Sequence, residues 1–308
     1  MFGVVPVRIS TVGLDLSDRD FFLIGEAMFT VAMILYGNHF DLAKRLLSSL
    51  ENSDHVQDFR IGLNDVCKQT LDYAHDWAGR QFLSGTPTTI YQELAGLNVA
   101  KYPLMRTMMT HRPLAERLMW FDDDSFLDPS CQNNLNANGK VEWWDRAEEL
   151  SRGKHQVGSV HMIMQRKKQY EMIKQQSWYA NKVVNSRHRF KFATGGWWIA
   201  ESSILTKWDY PWADLYHNGG DSMLGELFRQ RGLNITSVDP LLAQCLCESC
   251  SKRMRFTFGV VPLVHINHGG RKGRRGIGTS NERYLWESGK ISDKKHQNFK
   301  VKASCYEI

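Results

Sequence analysis

The chain has 308 residues, 42% of them hydrophobic and 23% charged, with a formal net charge of +6. This composition excludes collagen-like, low-complexity and disordered chains and leaves enough apolar material for a sizeable core. No run of 18 or more apolar residues occurs, and the opening Met1-Phe2-Gly3-Val4-Val5-Pro6 lacks the basic-then-apolar pattern of a secretory signal, so a cytoplasmic location is expected.

Residues 1–28 read as an N-terminal arm. Phe29 to Leu35 is an apolar run of strand length, broken by the turn residues Tyr36-Gly37-Asn38-His39. Phe40, Ala43, Leu46, Leu47 and Leu50 then fall at helical spacing. Phe59 to Leu63 predicts a second strand ending in Asn64-Asp65, and Val66, Thr70, Leu71, Ala74 and Trp77 a second amphipathic helix. Thr88 to Gln92 predicts a third strand, Lys101 to His111 a third helix, and Arg117 to Phe121 a fourth strand that runs into Asp122-Asp123-Asp124. Strand–helix alternation at this spacing argues for an α/β fold with a Rossmann-like, mostly parallel central sheet flanked by helices. Ligands bind such sheets at the carboxyl ends of the strands. Tyr36 to Asn38, Asn64-Asp65 and Asp122 to Asp124 all follow predicted strands, so they converge on one edge.

The rest of the chain is less regular. Asp128 to Lys140 reads as a polar loop, Val157 to Met164 as a strand and Gln165 to Gln176 as a polar helix. Phe190 to Thr194 leads into Gly195-Gly196-Trp197-Trp198. Asp221 to Arg231 predicts a helix with Met223, Leu224, Leu227 and Phe228 on one face and Gly232 as its stop. Cys245, Cys247 and Cys250 form C-x-C-x-x-C, which holds zinc only if a fourth ligand such as His265 joins them; free thiols are the favoured reading. Residues 251–308 carry a net +9, leaving the first 250 at −3. The segment Gly270 to Gly278, rich in Arg and Lys, reads as a mobile basic loop, and residues 271–308 as a basic loop and tail. Such a charge distribution suits a polyanionic partner, although solvated basic tails are common.

Three consecutive acids at a strand end repel one another unless a cation compensates them. A hard divalent ion, Mg²⁺ or Mn²⁺, is the natural partner for oxygen ligands. Asp122 and Asp124 alternate along an extended segment and so point the same way toward one ion. On this reasoning, removing one acid of the cluster leaves the metal-free fold intact. The bland alternative is an exposed acidic turn.

The strand followed by D-x-D, placed after three strand–helix units, resembles the GT-A glycosyltransferases, especially the large family 2-like group, over residues 29–270. The resemblance implies a nucleotide-sugar-binding half at 29–125 and an acceptor-binding and catalytic half at 126–270. It implies a UDP-sugar donor, with Tyr36 and Asn38 at the nucleotide base and Asn64 and Asp65 where the family usually has Asp-Asp-Gly-Ser. Asn98 and Arg106 are partial matches to a donor-contacting Asn and Arg. Asp123 lies within the acidic run, and Lys101 or Tyr102 substitutes for part of the donor contact. Gly195 and Gly196 match a Gly-rich segment, with Trp197 or Trp198 free to stack on a sugar or base, or else buried in a core strand. Asp221, after Gly219-Gly220, matches the carboxylate that acts as base, or else serves as an N-cap. His268 matches a late metal-binding histidine, giving Asp122, Asp124 and His268 as metal ligands, and Arg271 a phosphate contact.

The expected activity is therefore metal-dependent, inverting hexosyl transfer to an acceptor hydroxyl. A metal-dependent nucleotidyltransferase is the rival enzyme class. It needs an early Gly-rich phosphate loop, which is absent near Tyr36. A nucleic-acid-binding protein without catalysis leaves the acidic triplet unexplained. The basic C-terminal region points to hydroxymethylpyrimidine in DNA as acceptor, as in phage DNA-modifying enzymes, with a cell-surface saccharide as the alternative.

Overall fold

A computed structural model describes residues 28–50, 54–94, 101–123, 125–126, 143–164, 167–185, 187–213, 215, 219–237, 265–266 and 300–307. The first half alternates β1 (Phe29–Tyr36), α1 (Phe40–Ser48), β2 (Val56–Asn64), α2 (Lys68–Leu83), β3 (Thr88–Glu93), α3 (Lys101–Thr110) and β4 (Arg117–Asp122). Then come β5 (Ser125–Phe126), α4 (Trp143–Ser151), β6 (Gln156–Met164), α5 (Lys167–Gln175), β7 (Arg189–Glu201), α6 (Ser202–Lys207) and α7 (Gly220–Arg231). β8 (Ile235–Ser237), β9 (His265–Ile266) and β10 (Val301–Tyr306) complete the order.

Eight strands form one sheet in the order β10-β3-β2-β1-β4-β7-β6-β8, and β5 pairs with β9 in a small second sheet. β3, β2, β1 and β4 run parallel, as do β6 and β8, whereas β7 runs antiparallel to both of its neighbours and β10 antiparallel to β3. The fold is therefore α/β with a largely parallel central sheet, as the strand–helix alternation implies.

The central strand β1 is buried along its whole length because helices cover both faces. Phe29, Val31, Met33 and Leu35 pack with α1, α2 and α4; Ala32, Ile34 and Tyr36 pack with α3 and α7. The same alternation holds in β2 and β4, so side chains on the α3 side of the sheet share one layer. Gly225 lets α7 lie directly on β7: a Cβ there would stand 2.2 Å from the Lys191 carbonyl oxygen. Gly232 takes φ 71° and closes α7, as its position after the apolar face predicts.

Three elements differ from the sequence expectation. α4 covers the α1/α2 face through buried Trp144 and Ala147, within a segment assigned no structure from sequence. β7 extends through both glycines and both tryptophans to Glu201. Part of the expected basic tail is β10, which pairs from Val301↔Glu93 to Tyr306↔Thr88 and occupies the edge beside β3. The N-terminal arm to residue 27, the Asp128–Lys140 loop, the C-x-C-x-x-C cluster and the basic loop after Gly270 lie outside the described residues. Cys67 and Cys305 are free thiols.

Candidate functional site

The carboxyl ends of β3, β2, β1 and β4 carry a row of polar side chains on the α3 side. Tyr36 lies level with Asn64, and Asp122 lies level with Ile34, one pleat below them. Glu93 ends β3 beside Asn64 and is 5% exposed. Sequence reasoning missed it because the predicted strand stopped at Gln92. Asn64 is fully buried, and neither its amide nitrogen nor its amide oxygen has a hydrogen-bond partner among the described residues. Its backbone carbonyl accepts from Gly37 N (3.2 Å), and Gly37 O accepts from Cys67 N (3.1 Å), which ties the loops after β1 and β2 together. Asn38 and Asp65 stand exposed on those loops, Asp65 at φ 52°. A buried carboxamide without a partner costs free energy, so this amide is a polar group that the described scaffold does not itself satisfy.

Asp122 has a counter-ion. Lys101 Nζ donates to its Oδ1 at 2.9 Å and its Oδ2 at 3.2 Å, and Trp120 Nε1 donates to Oδ1 at 3.1 Å. Both members of the ion pair are buried, with side chains 7% and 5% exposed. The expectation that removing Asp122 would leave the fold undisturbed is thereby corrected: its removal strands a buried ammonium. Asp123 occupies the turn after β4 and is 1% exposed. Asp124 lies outside the described residues.

The residue after Lys101 reaches the other half of the chain. Tyr102 Oη donates to Asp221 Oδ1 at 3.1 Å. Asp221 sits in the first turn of α7, whose N-cap is Gly219 at φ 84° with no side-chain cap. The N-cap alternative for Asp221 is therefore excluded. Burial, the Asp221 carboxylate, Tyr210 and Asp122 together push the Tyr102 phenol well above its ordinary range, so it stays a donor. Tyr210 packs edge-on against Tyr102 at 6.5 Å. Arg106, one turn further along α3, binds both Asp209 carboxylate oxygens and the carbonyls of Asp209 and Pro211. Its guanidinium is thus engaged in fixing the 209–211 segment, which the expected donor contact did not foresee.

Trp197 and Trp198 are both core residues, 0% and 1% exposed, so neither is open to stack on a sugar or an extruded base. β7 aligns Trp198 with Trp120 and Trp197 with Phe121, and the Trp120 and Trp198 rings stack 6.2 Å apart. Gly196 precedes Trp197 at the end of β4, and its carbonyl accepts from Ser125 Oγ at 2.5 Å. Gly195 and Gly196 therefore lie on the same sheet edge as the acidic run.

β9 brings a late segment to that edge as well. Ile266 pairs with Ser125 and His265 with Phe126. His268 follows Ile266 by two residues, and Asp124 precedes Ser125 by one. His268, Asn98 and Arg271 lie outside the described residues, and among the described ones no three His, Cys, Asp or Glu side chains gather as a metal site. The carboxylates at this strand end, Asp122 and Asp123, are hard oxygen donors, the chemistry that suits Mg²⁺ or Mn²⁺. No helix of the described residues is long and apolar enough to cross a membrane.

No family model and no curated protein matches the chain. Solved structures do. Staphylococcus aureus TarS 1–349 matches at 13% identity over 68% of this chain and 57% of that one, with a TM-score of 0.41. GalNAc-T7, crystallised with UDP, GalNAc and Mn²⁺, matches at 9% identity over 68% of this chain and 41% of that one, with a TM-score of 0.46. The mannosyltransferase PcManGT from Pyrobaculum calidifontis, in complex with GDP-Man and Mn²⁺, matches at 11% identity over 87% of this chain and 75% of that one, with a TM-score of 0.43. The chain thus spans 57% and 41% of the first two, and what it is similar to in all three is the path of an α/β fold.

Proposed function

We propose that the chain is a metal-dependent glycosyltransferase of the GT-A type, moving a sugar from a UDP-sugar to an acceptor hydroxyl with inversion. The observation that carries this reading is the bridge made by two adjacent residues of α3. Lys101 holds Asp122 at the end of β4, and Tyr102 holds Asp221 at the head of α7. An acidic strand end of the kind that faces a diphosphate and a carboxylate placed to act as base are thereby set at one edge of one sheet.

In this reading the nucleotide lies over the loops after β1 and β2, with exposed Asn38 and Asp65 presenting polar groups to the base and Tyr36 and Asn64 buried beneath them. An amide such as that of Asn38 both donates and accepts, so it serves where the family more often has an acid. Asp124 and His268 would hold the divalent ion, with Asp122 contributing what its pairing to Lys101 leaves. The ion would neutralise charge on the leaving diphosphate. Asp123 and Arg271 are the further residues assigned to that group by the resemblance, and Gly195 and Gly196 would permit close backbone approach of the donor. Asp221 takes the proton of the acceptor hydroxyl. The acceptor oxygen bonds to the anomeric carbon as the bond to the diphosphate breaks, and that electron pair leaves with UDP.

For the acceptor, the +9 region at 251–308 supports hydroxymethylpyrimidine in DNA. Because both tryptophans are buried, an extruded base would stack elsewhere. The test is UDP release from a panel of UDP-sugars, with Mn²⁺ or with chelator, in the presence of hydroxymethylated DNA, plain DNA or oligosaccharides. Metal-dependent release that rises only with hydroxymethylated DNA supports both parts. Release that rises with oligosaccharides keeps the enzyme and removes DNA. Pyrophosphate release from a nucleoside triphosphate, without UDP release, replaces the reading with nucleotidyl transfer.

A further inference from the structure

We infer that Tyr102 is a positioning residue for Asp221, and that residue 220 is glycine in order to admit it. The inference rests on the reading of Asp221 as the base. Tyr102 enters from α3, and its ring tip comes to rest against the first turn of α7. A Cβ at Gly220 would lie 2.2 Å from Tyr102 Cζ, 2.4 Å from Cε1 and 2.6 Å from Oη. No side chain fits there with the tyrosine in place. The two glycines before Asp221 therefore have separate causes: Gly219 takes the left-handed φ of 84° at the N-cap, and Gly220 makes room for the phenol.

The residue is 2% exposed and wedged against Tyr210, so its ring is held in place. Its hydroxyl donates to Asp221 Oδ1 at 3.1 Å. Asp221 itself is only partly buried, in the first turn of α7. A base that must meet an acceptor proton needs one carboxylate oxygen aimed, and tying the other oxygen to a rigid donor achieves this. The same bond favours the ionised carboxylate, as does the α7 N-terminus. Lys101, one residue earlier, makes the matching bond to Asp122, so the first turn of α3 sets both acids at once.

The deciding experiment follows the Asp221 carboxylate directly, by carbon-13 NMR of the full chain with labelled aspartate, the signal being assigned by its loss in Asp221→Asn. In Tyr102→Phe the midpoint of the Asp221 titration is expected to rise by about one pH unit, the worth of a hydrogen bond to a charged group. Gly220→Ala, which keeps the phenol but pushes it away, is expected to raise it in the same direction. A midpoint unchanged in both folded variants overturns the inference. Transfer assays then address the reading beneath it: in Tyr102→Phe, kcat is expected to fall about tenfold with the acid limb moved upward and donor KM kept. An unchanged kcat and limb would also overturn the positioning role. A dead wild type with a shifted Asp221 signal would instead remove the base reading and leave the Tyr102–Asp221 coupling.

Discussion

The two ends of α3 are each fastened to the sheet by a buried cation, yet the two fastenings are built differently. Near its C-terminus, Arg60 of β2 is fully buried; its Nε bonds Asp58 at 2.6 Å, and its other nitrogens bond the carbonyls of Met108, Arg112 and Pro113. Asp58 in turn accepts from Thr30 at 2.7 Å. Every nitrogen of that guanidinium is engaged, with one carbonyl in the last turn of the helix and two in the segment that follows it. At the N-terminus the direction is reversed: the cation is on the helix and the acid is at the strand end. Lys101 spends its bonds on one carboxylate, at the edge where the strands open. The first pair is a closed fastening of the scaffold; the second joins the scaffold to the site.

That contrast can be broken at either end. Arg60→Met is expected to have the largest effect, since it leaves Asp58 buried without its partner and frees three carbonyls. A loss of about 3–5 kcal/mol, or failure to fold, should appear in urea denaturation. Asp122→Ala is expected to cost somewhat less, about 3 kcal/mol, because the flexible lysine stem lets part of the ammonium reach water. Replacing both partners, Lys101→Met with Asp122→Leu, should recover most of that loss, which denaturation of the single and double variants will show.

Two glycines sharpen the same comparison with smaller effects. Gly220→Ala presses a Cβ into the rigid ring of Tyr102 at the N-terminal end, and a loss of about 2 kcal/mol is expected. Gly62→Ala presses instead on Met108 Sδ, 2.8 Å away, and on Leu104. A thioether yields more easily than a buried ring, so about 1 kcal/mol is expected there. Thermal melts of the two variants check the order.

The smallest effect is a dependence on alkaline pH. Burial raises the Tyr91 phenol, which contacts His111 beyond the C-terminal end of α3, to about 12. Burial and the nearby carboxylates also raise Tyr102 and Tyr210, at the other end, well above the ordinary range. Unfolded phenols titrate near about 10, so the folded state holds protons that the unfolded state gives up. Stability is therefore full below that pH and falls as pH rises through the folded values. Tyr91→Phe should remove the part of the fall that ends near 12, and Tyr102→Phe should likewise flatten the alkaline fall, as read by denaturation across alkaline buffers.

Much of this was legible from sequence where one local signal sufficed. The runs Phe29 to Leu35 and Arg117 to Phe121 gave buried parallel strands, and the apolar face ending at Gly232 gave α7. Pairing between distant segments was not legible. Nothing local in Phe190 to Glu201 tells that β7 runs antiparallel between β4 and β6, or that Trp120 meets Trp198. β10 hid in a tail judged by its charge, although Val301, Ala303 and Cys305 alternate with Lys302 and Ser304. In α4 the signal was present, Trp144 and Ala147 being one helical turn apart. At the site, the acids were visible as types, while their partners were not: that Lys101 takes Asp122 and Tyr102 takes Asp221 depends on where α3 begins relative to β4 and α7.

The central claim is that the edge joined by Lys101 and Tyr102 is a centre of sugar transfer with Asp221 as its base. UDP release from a UDP-sugar, measured alongside UDP affinity in the wild type and in Asp221→Asn, tests it most directly. The change keeps the shape of the side chain and removes its basicity. The account predicts metal-dependent release in the wild type, and its loss in Asp221→Asn with UDP affinity unchanged. Release in Asp221→Asn equal to that of the wild type would contradict it.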